Sequence, residues 1–166
     1  MSVFDGEILE AASRVIANAK AQGVTLGCVE SCTGGLVGGA LTAGEGSSAA
    51  FAGGLTTYSN EMKKRIVGVQ QETLDEHGAV SSQVAAHMAM GGASVLGVNR
   101  CVSVTGVAGP GGGTEDKPVG TVWFALAIGG AEEVRCSLAQ FEGDRDQVRM
   151  QSVLTALAIL DPGEQA

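Results

Sequence analysis

An apolar run, Val24-Thr25-Leu26-Gly27-Cys28-Val29, leads without a spacer into Glu30-Ser31-Cys32-Thr33-Gly34-Gly35 and then into the helix-compatible stretch that begins at Leu36. A strand followed by a helix is one unit of the interleaved pattern expected of a sheet covered by helices. The same junction is where chemistry collects, because helix starts carry unpaired backbone N–H groups that attract anions or a developing oxyanion. Thr33 is a suitable N-cap, and Gly34 and Gly35 let a ligand approach the main chain. The plainer alternative is that Ser31 and Thr33 only cap the helix.

The alternation continues along the chain. Phe4, Ile8, Ala11, Ala12, Val15, Ile16 and Ala19 recur at helical spacing and predict a helix over 4–20, stopped by Gly23. Further helices are expected over 35–43, after Asn60 as cap, over 71–76, from Ser81 or Ser82 to about Leu96, and after Asp144. In the helix after Asn60, Met62, Ile66 and Val67 are expected to face inward. Strands are expected over 24–29, 51–58, 100–107, 121–128 and 133–141, the last two forming a hairpin. Interleaved helices and nearly continuous apolar strands predict a sheet covered on both faces. The expected fold is a three-layer α/β/α sandwich with a mixed, mostly parallel sheet of about five strands, one domain over 1–166.

The net charge of −8 disfavours a general nucleic-acid or membrane surface but leaves room for a local cationic pocket. The four cysteines are scattered, without zinc-knuckle spacing, so reduced thiols and no metal are expected. No signal peptide or long apolar span is visible, which leads to a cytoplasmic expectation. The glycine pairs Gly38-Gly39 and Gly91-Gly92 fall inside expected helices, where each glycine costs about 1 kcal/mol relative to alanine. Close helix packing would explain them, and part of it is expected between subunits, in a homodimer.

Two other constellations are candidates. Thr105-Gly106-Val107-Ala108-Gly109-Pro110 opens a glycine-rich loop after a strand, where backbone N–H groups can cradle an anion; it is neither a Walker loop nor a dinucleotide fingerprint. Lys117 at the edge of that loop and Arg145 at a helix start could add cations. Tyr58, Asn60 and the run Lys63-Lys64-Arg65 surround another strand-to-helix junction. Amide hydrolysis needs a nucleophile and a base. His77 and His87 lie in a turn and a helix remote from the loops, so a lysine depressed by burial and neighbouring cations is the other base available to Ser31. A solvated basic helix end is the competing account of that run. Cys32 is a rival nucleophile, although a small buried thiol is its simpler role.

Taken in order, Glu30–Gly35, Gly46-Ser47-Ser48, Thr57–Asn60 with Lys63, Gly78–Ser81, Thr105–Pro110, Lys117–Val122 and Gly143-Asp144-Arg145 resemble the C-terminal domain of the CinA, or competence/damage-inducible, family. One departure is Glu45, where the family usually has proline. The resemblance implies a stand-alone amidase that converts nicotinamide mononucleotide to nicotinate mononucleotide and ammonia without metal or cofactor. It implies Ser31 as nucleophile and Lys63 and Tyr58 as base and proton relay. Thr33, Gly34, Gly35, Asn60, Thr105, Gly106, Gly109 and Arg145 are then expected around the pyridine nucleotide. The alternative is a non-catalytic nucleotide-binding module, which would need the pocket but not the Ser–Lys pair.

Overall fold

A computed structural model of the protein describes residues 2–164. In chain order it has α1 (Gly6–Gln22), β1 (Leu26–Glu30), α2 (Leu36–Leu41), a 3₁₀ turn (Ser47–Ala49), β2 (Phe51–Thr56), α3 (Asn60–Val67), α4 (Gln71–His77), α5 (Ser82–Leu96), β3 (Arg100–Gly106), β4 (Thr121–Ile128), β5 (Glu133–Gln140) and α6 (Arg145–Leu160). The strand order is β2-β1-β3-β4-β5. β1 pairs in parallel with β2 and β3, whereas β3–β4 and β4–β5 are antiparallel, so β4 alone runs against the other four. This is the mixed, layered fold that the alternation predicts.

The two faces of the sheet carry separate apolar cores. Leu26, Cys28, Val102, Val104, Val122 and Phe124 pack against α1, α2 and α6. Val29, Cys101, Ala125 and Ala127 pack against the other helices, chiefly α5. Side chains alternate between faces along a strand, so β1 sends even-numbered residues to α2 and odd-numbered residues to α5. That parity assigns Glu30 to one layer and Ser31 to the other.

Three local expectations are corrected. Thr33 does not cap α2; its N-cap is Gly35, in a left-handed conformation without a side-chain cap bond. Ser59, not Asn60, caps α3, accepting from the Met62 amide. The buried face of α3 is Lys63 and Val67, four residues apart, while Met62 and Ile66 are only partly covered. A charged residue at a core position is invisible to an apolar-periodicity argument.

Three of the four paired glycines, Gly39, Gly91 and Gly92, are closely packed within the chain, whereas a Cβ on Gly38 would make only ordinary contacts. A Cβ on Gly91 would collide with the Val67 carbonyl, and one on Gly92 would meet Val29 and Cys101. Gly39 faces the Phe4 ring in the same way, at 3.3 Å. These close approaches let α5 press against α3 and the sheet, and the glycines therefore carry no argument for a second subunit. Gly92→Ala should destabilise the domain by about 1–3 kcal/mol through overpacking. Gly91→Ala should cost more, because its obstacle is backbone. Urea midpoints measure both, and a Gly92→Ala midpoint equal to wild type would refute the packing account.

Candidate active site

At the C-terminal end of β1 the alternation of side chains divides two adjacent residues between two tasks. Glu30 points to the α2 side, only 2% exposed. Its carboxylate accepts from the amides of Gly35 (3.1 Å), Val37 (3.1 Å) and Gly38 (2.9 Å). The carboxylate thus occupies the first turn of α2, and the positive end of the helix faces this charge. The free helix start expected to bind an anion or oxyanion is filled by the protein's own glutamate. Sequence reasoning missed this role. The one available signal was an acidic residue ending a strand ahead of a helix that lacks a side-chain cap.

Ser31 points the other way. Its amide donates to the Val104 carbonyl at 2.9 Å, which ties it to the neighbouring strand β3. Its Oγ lies 3.0 Å from the Lys63 Nζ. Lys63 reaches this position from the inner face of α3 and is 1% exposed, while Ser31 is 8% exposed. The amine also donates to two backbone carbonyls, Thr57 at 2.8 Å and Tyr58 at 3.2 Å. No carboxylate forms an ion pair with it among the described residues. A neutral amine has two N–H donors and one lone pair. In the charged form the amine donates to Ser31 Oγ as well as to the two carbonyls; once it loses a proton, the carbonyls can take the two remaining donors and leave the lone pair for the Ser31 hydroxyl. Burial removes water from the charged form and pulls the Lys63 pKa down to about 8. Lys64 points outward, paired with Glu61 at 2.8 Å and bonded to Gln71. The structure thus distinguishes the two adjacent lysines.

The other sequence-predicted residues divide between rim and framework. Tyr58 is exposed, and its hydroxyl receives the Arg145 Nη2 at 3.4 Å. Arg145 Nη1 donates to the Gly109 carbonyl at 2.8 Å, so Tyr58, Arg145 and Gly109 meet along one edge. Asn60 is exposed at the first turn of α3. Gly34 and Gly35 have positive φ, 61° and 104°, and turn the chain from Ser31 into α2. Thr33 is fully buried, and its hydroxyl has no hydrogen-bond partner; the same holds for Thr57. Thr105 turns into the α5 layer and donates to the Ala79 carbonyl at 2.8 Å, while Gly106 ends β3, paired opposite Val122. Lys117 donates to the His77 carbonyl at the end of α4. Gly46-Ser47-Ser48 lies in the turn leading into β2, at the end of the sheet opposite Ser31.

Arg149 was missed by sequence reasoning. It donates to the carbonyls of Cys32 (3.2 Å) and Thr33 (3.3 Å), bracing the loop that carries Ser31. The signal was its position one helical turn after Arg145, on the same face of α6. The rival nucleophile Cys32 packs into the α1–α2–α6 core, and burial pushes its thiol up to about 11, leaving almost no thiolate near neutral pH. All four cysteines are free. Among the described residues no three His, Cys, Asp or Glu side chains converge to hold a metal ion, and no helix is long and apolar enough to cross a membrane.

A groove of about 700 Å³ lies elsewhere, between β4–β5 and the end of α6. Its Arg100 is tied to the carbonyls of Ile159, Leu160 and Asp161, a helix-end role. The Ser31–Lys63 pair does not line this groove.

The first strand of this layered α/β domain thus brings a buried serine hydroxyl within 3.0 Å of a buried lysine amine that has no carboxylate partner among the described residues. Residues 9–162 match the CinA C-terminal domain, and the chain belongs to that family. It is 46% identical over 156 residues to the nicotinamide-nucleotide amidohydrolase PncC of Shigella flexneri, covering 94% of each chain, and equally similar to PncC of Escherichia coli K12. Among solved structures, the competence/damage-inducible protein CihA of Agrobacterium tumefaciens superposes with a TM-score of 0.93 at 43% identity, covering 96% of this chain and 97% of that one.

The depressed Lys63 pKa has a consequence for stability. Between about 8 and the ordinary lysine value of 10.5 the unfolded chain holds a proton that the folded one has released. Stability gained through this group therefore rises with pH across that window. The difference in unfolding free energy between wild type and Lys63→Met should shift in favour of wild type from pH 8 to pH 10. A difference that stays flat would show that Lys63 titrates normally.

Proposed function

We propose that this protein is a nicotinamide-nucleotide amidohydrolase that uses Ser31 as nucleophile and Lys63 as its base. The observation that carries the reading is the buried amine 3.0 Å from a serine hydroxyl, with no carboxylate to hold it charged. A module that only bound a nucleotide would gain nothing from it, since an unpaired buried lysine is a cost to folding. The similarity to curated amidohydrolases over 94% of the chain supports the substrate class.

In this reading the neutral Lys63 takes the Ser31 proton as Oγ attacks the carboxamide carbon. The resulting ammonium returns the proton to the departing NH2 group, releasing ammonia and leaving an acyl ester on Ser31. Water then attacks the ester carbonyl, Lys63 accepts its proton, and the proton returns to Ser31 Oγ as nicotinate mononucleotide leaves. The carbonyls of Thr57 and Tyr58 orient the amine in each step. Glu30 and Arg149 hold the loop that carries the nucleophile. Arg145, exposed at the edge and without an acidic partner among the described residues, is suited to the substrate's phosphate.

The purified protein should release ammonia from nicotinamide mononucleotide. Ser31→Ala and Lys63→Ala should each lose several orders of magnitude, and the double variant should be little worse than either, because the pair acts as a unit. The acidic limb of the pH–activity profile should rise with pH through a midpoint at about 8, the Lys63 value. Near-normal turnover by Ser31→Ala would remove the nucleophile assignment.

Removing Arg145 probes the phosphate separately. A charge-assisted pair contributes about 1.5–3 kcal/mol, so Arg145→Ala should raise KM for the nucleotide by about 10- to 150-fold. The effect on nicotinamide riboside, which lacks the phosphate, should be much smaller. Equal damage to both substrates would assign Arg145 to the framework instead.

A further inference from the structure

β5 ends the sheet on one side, and among the described residues no strand pairs with its outer edge. It runs over Glu133–Gln140, in register with β4 from Ile128↔Glu133 to Thr121↔Gln140 without a bulge. At the start of β4 the Thr121 carbonyl accepts from the Val107 amide, so Thr121 turns its backbone toward β3. Backbone groups alternate in direction along an antiparallel strand. Val122, Phe124, Leu126 and Ile128 therefore turn theirs toward β5, where they meet Ala139, Ser137, Arg135 and Glu133. Val134, Cys136, Leu138 and Gln140 are left with N–H and C=O groups directed outward. The Phe141 amide, which donates to Gly120, follows the same alternation.

Edge strands are ordinarily guarded by lysine, proline, a bulge or shortness. β5 has no lysine, proline or bulge, and no strand of the sheet is longer. Its even-numbered side chains face the α5 layer, since the Cys136 thiol donates to the Ser82 carbonyl at the start of α5, 3.6 Å away. On that face Leu138 is 55% exposed, beside its only partly covered cross-strand neighbour Trp123.

The occupant that fits this edge is a second copy of the chain. A two-fold axis through an antiparallel pair sets one residue opposite itself. Centred on Cys136, it sets Val134 opposite the Leu138 of the copy and Leu138 opposite its Val134. All three residues direct their backbone groups outward, so each facing pair can exchange both hydrogen bonds. The exposed leucine meets an apolar partner, and 133–139 is paired throughout. An axis at Ser137 would instead set Val134 against Gln140, whose side chain is already tied to Thr121 and Val119. Charge favours the same edge. At a net charge of −8, two copies repel each other over much of their surface. β5 is locally neutral, because its one acid and one base, Glu133 and Arg135, pair at 2.7 Å.

We propose that two copies of this chain join their β5 strands antiparallel about a two-fold axis at Cys136, forming one continuous sheet. The proposal is independent of the amidohydrolase reading, since β3 and β4 separate β5 from the strand that carries Ser31.

Light scattering on the wild-type protein at micromolar concentration should give the mass of two chains. Leu138→Lys sets a charge against the partner's valine and should reduce the mass to that of one chain, with an unchanged circular dichroism spectrum showing that the variant folds. Cys136 supplies a second measurement, because it is the exposed cysteine and Cys28, Cys32 and Cys101 are buried. Facing residues in such a pair stand about 5.5 Å apart, within disulfide range. Diamide, which takes up the electrons and protons of a thiol pair, should therefore convert wild type to a covalent dimer on a non-reducing gel. Cys136→Ser should lose that band and keep the mass of two chains. A monomeric wild type overturns the proposal, and so does a dimer whose mass Leu138→Lys leaves unchanged. A dimer that diamide fails to link through Cys136 refutes the axis.

Discussion

The site depends on the point where β1 stops and its last two side chains part. Glu30 turns into one layer and gathers three amides from the start of α2. Hydrogen bonds to a charged acceptor contribute about 1.5–3 kcal/mol each, and a buried carboxylate without them would be strongly destabilising. The loop from Ser31 to Gly35 is therefore closed at both ends. Its front is held by the Ser31 amide on Val104, and its far end by Glu30. Arg149 fixes the middle through the Cys32 and Thr33 carbonyls. Such fixation would serve the nucleophilic role proposed for Ser31, because a small displacement from the productive geometry lowers the rate sharply.

The second layer brings in the Lys63 amine by a different route. α3 is short, capped by Ser59 and ended by Gly68, and it buries Lys63 and Val67 as neighbours on one face. Val67 anchors the helix in the α5 core, and Gly91 makes room for its carbonyl. The register of α3 follows from that apolar anchor, and Lys63 is carried inward by it. The stability cost of a buried, partnerless amine is met by the surrounding packing, and its consequence is an amine with a pKa near 8, within reach of neutral pH. Burial sets two opposite behaviours here. It leaves more of Lys63 unprotonated near neutral pH and, by raising the Cys32 pKa, leaves less of that thiol as thiolate.

Around this pair the rim is cationic although the chain is acidic overall. Arg145 and Arg149 stand one turn apart at the start of α6, and neither has a carboxylate partner among the described residues. A local positive edge on a negative molecule favours a small anionic ligand without inviting polyanions. The glycine-rich loop contributes differently from its sequence expectation. Gly109 gives its carbonyl to Arg145, and Thr105 is turned away to Ala79, so the contact between loop and rim is an acceptor for the guanidinium.

The sequence by itself determined the layered fold, the strand and helix positions and the candidates Ser31 and Lys63, because these follow from local periodicity and from motif order along the chain. Even the strand parity that separates Glu30 from Ser31 was implicit in β1. It did not determine that Glu30 would occupy the helix start in place of Thr33. Nor could it show that Lys63 rather than Lys64 is buried, that Thr105 faces the framework, or that Arg149 joins the site from 116 residues beyond Thr33. Those outcomes rest on which layer each side chain enters and on packing between segments distant in sequence. Composition and spacing fix neither. The pKa of Lys63 is of the same kind, since it comes from desolvation, which exists only once α3 has docked against the sheet.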